Sequence, residues 1–158
     1  MPTTLQDELG KADPFESPLE EAYLSLVRTA SVLSGSFAAL FREHGLSEST
    51  YNVLRILRGA GPDGRHATDI RKQMVVRVPD VTRLVDRLEK MGLGTRERCG
   101  EDRRIVHVKI TRRGSDLLDR LDVPIRDLHR ELLGQLSDRK LSDLIKLLQE
   151  SRDPHLDL

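Results

Sequence analysis

From Ser17 to about Leu148 apolar side chains recur mainly in steps of three and four, with one interruption. Ser17-Pro18-Leu19-Glu20 opens the first run. A serine cap followed by proline at the first helical position starts a helix, because proline's missing N–H has no partner to lose there. Leu19, Tyr23, Leu26, Ala30, Leu33, Phe37 and Leu40 then alternate steps of four and three, a heptad pattern that predicts a helix to about Arg42. Ala22, Val27 and Phe41 widen the stripe, and His44-Gly45 ends it. Ser47 is placed to cap a second helix, Glu48 to about Arg58, with Tyr51, Leu54 and Leu57 inward. Gly59 to Gly64 reads as a loop, and a short helix over about Thr68–Met74 carries Ile70 and Met74 one turn apart.

Val75-Val76-Arg77 makes the turn into the most informative stretch, Val78 to Leu93. Val81, Leu84, Val85, Leu88 and Met91 form one apolar face, and Asp80, Arg83, Arg87 and Lys90 lie opposite. Pro79 suits a first helical turn and Gly92 a left-handed end. The period then changes to two. Thr95–Cys99 and Ile105–Ile110 predict strands, with Val106, Val108 and Ile110 alternating with His107 and Lys109, around a polar turn at Gly100–Arg104. A short helix, a turn, a cationic helix and a hairpin with arginines at its tip make a winged helix-turn-helix pattern.

Helical spacing returns after Thr111, a candidate cap, with Leu118, Leu121, Ile125, Leu128 and Leu132. Pro124 inside this run predicts a kink or split. Gly134 ends it. Ser137 caps a last helix with Leu141, Leu144, Ile145 and Leu148 on one face, and Pro154 marks a frayed tail. Met1–Glu16 is polar and reads as an arm.

Composition sharpens this picture in one respect. The 158 residues balance 26 Lys/Arg against 26 Asp/Glu, which by itself argues against a nucleic-acid partner. The distribution reverses that: Arg65–Arg113 holds 14 basic and 7 acidic residues, so the candidate reading segment is +7 and the remainder −7. Aromatic residues are only 3%, so the core is mainly Leu, Val and Ile. Met1–Lys11 lacks a secretory pattern, the apolar runs look too short for a bilayer, and the lone Cys99 has no internal disulfide partner; a cytoplasmic location without membrane contact is the expectation.

Taken together, Thr82-Arg83-Leu84-Val85-Asp86-Arg87-Leu88-Glu89, Gly92-Leu93, Asp102-Arg103-Arg104 and Ile110-Thr111-Arg112-Arg113-Gly114 resemble the MarR family of bacterial transcription regulators, and the flanking helices fit as well. The resemblance implies a mainly α fold with a small β-hairpin wing: an arm at 1–16, a dimerisation helix at 17–45, a winged helix-turn-helix lobe at 46–111 and dimerisation helices at 112–158. It implies a homodimer on double-stranded DNA. Thr82 and Arg83 are the candidates for base or phosphate contact, and Arg77 for phosphate. Arg87 is a further DNA candidate, or pairs internally with Asp86 or the wing. At the wing, Arg104 matches the family's minor-groove arginine, Asp102 the acid that positions it, and Arg103 is a phosphate contact. The family often binds small aromatic anions, for which Phe37, Phe41, His44, Tyr51 and Arg55 are the candidate lining.

One departure from the family pattern is Arg77-Val78-Pro79-Asp80, where hydroxyl residues are more usual. Asp80 would repel phosphates unless it accepts from a cytosine amine or braces an arginine. Two other readings attach to the same chain: a winged-helix module that binds protein, and a redox-responsive regulator in which Arg96 and Arg98 lower the Cys99 pKa. Interaction surfaces tend to lose charge at their centre, which disfavours the first. The five histidines show no metal-ligand spacing, and no nucleophile–base, paired-carboxylate or phosphate-loop signature occurs, so neither a cofactor nor catalysis is expected.

Overall fold

The structure, a computed structural model, describes residues 3–98 and 106–155. It comprises two compact units, the first running to Ser115 and the second starting at Asp116. The first opens with a helical turn, α1 (Leu5–Glu8), in the segment expected to be only an arm. The Thr4 hydroxyl and backbone N–H both donate to the Asp7 carboxylate, at 2.6 and 3.1 Å, which holds that carboxyl below its usual range. Helix α2 (Pro18–Glu43) starts where the cap and proline place it, with Ser17 Oγ accepting from the Glu20 N–H, and Glu8 pairs with its Arg28 at 3.3 Å.

Of all the residues in α2, only Phe41 is buried. Leu19 is 82% and Tyr23 65% exposed, so the heptad seam lies largely open. By length and composition alone α2 is apolar enough to cross a membrane, a test that helices of soluble proteins also pass. Small and hydroxyl residues dilute the runs while few charges interrupt the helix. The heptad spacing of its apolar side chains is the pattern of a helix packed against other helices.

The lobe that follows is built on α3 (Glu48–Ala60), α4 (Ala67–Gln73), α5 (Val81–Lys90) and an antiparallel hairpin of β1 (Gly94–Arg98) and β2 (Val106–Ile110). Ser47 and Thr50 form a reciprocal cap on α3. Val53, Leu54, Leu57, Ile70, Val85, Leu88 and Val108 are at most 2% exposed and form the lobe's core. Helix α3 runs through Gly59 and Ala60, and Gly61–Asp63 is a 3-10 turn, so the expected loop is shorter than its glycines suggest. Periodicity also gave no sign of a third extended segment: Arg65 exchanges backbone hydrogen bonds with Val108, at 2.9 and 2.8 Å. Gly64 sits just before it at φ +71°, where a Cβ would lie 2.5 Å from the Val108 carbonyl oxygen.

The hairpin leads through Thr111 into α6 (Arg112–Leu133). Thr111 Oγ1 accepts from the Gly114 N–H at 3.1 Å and donates to the Gly92 carbonyl at 2.8 Å, so one hydroxyl caps α6 and ties its start to the end of α5. In the second unit α6 continues unbroken past Pro124; the proline does not split it, although it brings no backbone N–H to the helix. Leu117, Leu118, Leu121 and Ile125 are buried along α6. Helix α7 (Asp138–Arg152) is capped by Ser137 and buries none of its residues. Beyond it Asp153–His155 forms a 3-10 turn where a frayed tail was expected.

Candidate nucleic-acid interface

Helix α5 is the centre of the site. It begins at Val81, two residues later than Pro79 suggests, because Asp80 is the cap: its Oδ1 accepts from the Arg83 backbone N–H at 3.1 Å. Asp80 thus has a role within the protein that the sequence reading had not weighed, as the cap of the helix start itself. Aspartate is among the favoured capping residues, so the signal was present in the sequence. Val81, Val85 and Leu88 bury one face, while Thr82, Arg83, Arg87 and Lys90 are exposed on the other. Gly92, at φ +69°, closes the helix as expected.

Three contacts fix α5 in the lobe. The turn from α4 is pinned by the Val75 N–H, which donates to Asn52 Oδ1 on α3 at 2.8 Å. Arg87 Nη2 donates to the Gly45 carbonyl at 3.1 Å, at the end of α2, in place of the expected partners Asp86 or the wing. Asp86 instead pairs with Arg96 of β1 at 2.7 Å. Arg96 is the hub of the third contact: its guanidinium also pairs with Glu89 and donates to the Thr82 carbonyl at 3.3 Å, and its backbone N–H donates to Glu89 Oε1 at 2.8 Å. One strand residue thus grips three positions spaced along α5. Sequence reading treated Arg96 only as a neighbour of Cys99, because no local spacing announces a contact across the Gly92 cap.

Further exposed cations flank α5. Arg71 and Lys72, in the last turn of α4, join Thr68, Met74, Arg77 and Val78 around an open concavity of about 560 Å³. Arg71 and Lys72 were not singled out by sequence, although their basic pair directly precedes the turn. Arg83 is exposed in the first turn of α5. Asp102, Arg103, Arg104 and Cys99 lie outside the described residues.

The residues named for an aromatic ligand are largely brought together. Phe37 and Phe41 stack at 6.2 Å between ring centres, Phe41 and Tyr51 at 4.3 Å, and Arg55 Nη1 donates to the Tyr51 hydroxyl at 3.3 Å. His44 ends α2 as its cap residue.

A short helix, a pinned turn, a capped cationic helix and an antiparallel hairpin define a winged helix-turn-helix protein of the DNA-binding class. The MarR family profile matches residues 46–106. A MarR transcription factor of known crystal structure from Planctomyces limnophilus is 39% identical, over 86% of this chain and 98% of its own, with a TM-score of 0.66. The chain belongs to the MarR family of transcription regulators, as the sequence motifs implied. The homoprotocatechuate degradative operon repressor of Escherichia coli is 24% identical over 127 residues, 80% of this chain and 84% of its own. BpsR of Bordetella bronchiseptica, whose DNA binding is regulated by 6-hydroxynicotinic acid, shares the fold at a TM-score of 0.76 and 21% identity, over 89% of this chain and 99% of its own.

Proposed function

We propose that the chain is a cytoplasmic, non-enzymatic repressor that binds a pseudo-palindromic operator as a homodimer and is released by a small aromatic ligand. The observation that carries the DNA-binding geometry is the arrangement around α5: one face buried in the lobe, the other presenting exposed Arg83, with Arg71, Lys72 and Arg77 around the concavity at the turn that precedes the helix. In this reading α5 enters the major groove. Thr82 and Arg83 near its start meet bases or phosphates, and Arg77 meets phosphate. Arg87, exposed but bonded to Gly45, couples the reading helix to the end of α2 and lies close to the backbone path. Arg104, oriented by Asp102, enters the minor groove and Arg103 contacts phosphate. The open seam of α2 and the unburied apolar residues of α7 support a second copy as partner, and two-fold symmetry then places half-sites about one helical turn apart.

A ligand of aromatic-anion chemistry fits the stacked Phe37, Phe41 and Tyr51 with Arg55 at their end, and the regulation of BpsR by 6-hydroxynicotinic acid supports the same chemistry. Binding there would favour a dimer whose two α5 helices no longer match the groove spacing. The test begins with duplexes selected from random sequence and titrated with salt. An inverted repeat whose affinity falls steeply as salt rises is expected; selection of no inverted repeat, or affinity indifferent to salt, rejects the geometry. A thermal-shift series with aromatic acids up to millimolar levels tests the ligand, and uniform silence removes it.

A further inference from the structure

Val75 and Val76 stand out in the lobe. They are 85% and 60% exposed, and Val75 is the most exposed of the large apolar residues among those described. Every other large apolar residue exposed in this way lies at the end of α1 or in α2, α6 or α7. The two valines occupy the turn between α4 and α5, whose backbone is not loose: the Val75 N–H is held by Asn52 at 2.8 Å. Their neighbours on both sides are the cations of the concavity, Arg71 and Lys72 before the turn and Arg77 after it. A partner for this patch must offer negative charge and small apolar groups together. The major-groove edge of DNA does so, with phosphates at its rim and the 5-methyl of thymine on its floor.

Resting on the DNA-binding reading above, we infer that Val75 and Val76 are specificity-determining residues that select thymine in each half-site through its 5-methyl group. The cations on either side bring the turn to the backbone, and the valine pair then covers one or two methyl groups that would otherwise face water. Removal of apolar surface from water is the driving force, so the contact distinguishes thymine from every base without that methyl. The pinned turn keeps the pair in place before DNA arrives, which limits the entropy lost on contact.

The experiment uses the full chain and a duplex selected by it from random sequence. Each thymine of one half-site is replaced in turn by deoxyuridine, which keeps base pairing and removes only the 5-methyl. One or two positions should lose about fourfold in affinity, the value of one buried methyl group. The same scan with Val75→Ser/Val76→Ser should be flat at those positions, with the salt slope unchanged. Both side chains are exposed, so the variant keeps the fold, which circular dichroism checks. A duplex bound by wild type with a flat uracil scan, or a variant that keeps the uracil penalty, overturns this inference and leaves the DNA-binding reading intact. Failure to bind any duplex removes both.

Discussion

Asp80 shows how one side chain can be misjudged when its charge is considered before its backbone. An acid at the tip of a DNA-reading helix looks unfavourable, yet it satisfies the Arg83 N–H that the helix start leaves open. Asp80→Ala should therefore lower unfolding stability by about 1 kcal/mol, read from the urea midpoint. Asp80→Asn keeps an equivalent cap and removes the charge, so stability should stay near wild type while nonspecific DNA binding tightens. Equal destabilisation by both variants would mean that the carboxylate's charge, and not the capping hydrogen bond, holds the helix start. At the wing, Arg104→Ala should weaken operator binding by at least ~1 kcal/mol with the oligomer unchanged. An unaltered gel-shift affinity and salt slope would take the wing out of the mechanism.

At the scale of elements, the hairpin and α5 form a single device through Arg96. Its guanidinium engages Asp86, Glu89 and the Thr82 carbonyl, and its side chain is 29% exposed, so these charge-assisted bonds are partly shielded from water. Arg96→Ala leaves two carboxylates one turn apart without their counter-charge. A loss of roughly 2 kcal/mol in stability is expected, and Arg96→Lys should restore little because an ammonium lacks the planar fork. If the hairpin delivers the wing, the effects of Arg96→Ala and Arg104→Ala on DNA affinity should be non-additive in a double-mutant cycle. Strict additivity would reduce Arg96 to a purely structural brace. Thr111 is a second such link, joining the end of α5 to the start of α6 with one hydroxyl.

For the whole molecule the governing quantity is where charge and unburied apolar surface lie. A neutral chain concentrates +7 in Arg65–Arg113, while Leu19, Tyr23 and Leu26 on α2 and Ile145 and Leu147 on α7 remain exposed. One property suits a polyanion and the other a second copy. Tyr23→Glu/Leu26→Glu should shift the protein to monomer in sedimentation equilibrium, with circular dichroism of the lobe preserved, and lower operator affinity at least tenfold because the two half-sites are no longer linked. A variant that remains dimeric would place the interface elsewhere.

Periodicity and capping chemistry determined most elements from sequence alone. The heptad steps of α2, the Ser17, Ser47, Thr111 and Ser137 caps, the left-handed Gly92 and the change to period two at the hairpin all act within a few residues, so a linear reading detects them. The clustering of charge and the spacing of Thr82-Arg83, Gly92-Leu93 and Asp102-Arg103-Arg104 were equally legible, and carried the family. Contacts between segments distant along the chain were decided only by the tertiary structure: Arg96 across α5, Arg87 on Gly45, Asn52 on the turn and Arg65 beside Val108. The reason is physical. Caps and amphipathic faces follow from the fixed rise and turn of a helix, whereas an ion pair across a glycine turn depends on how two finished elements pack, and no local spacing encodes that distance.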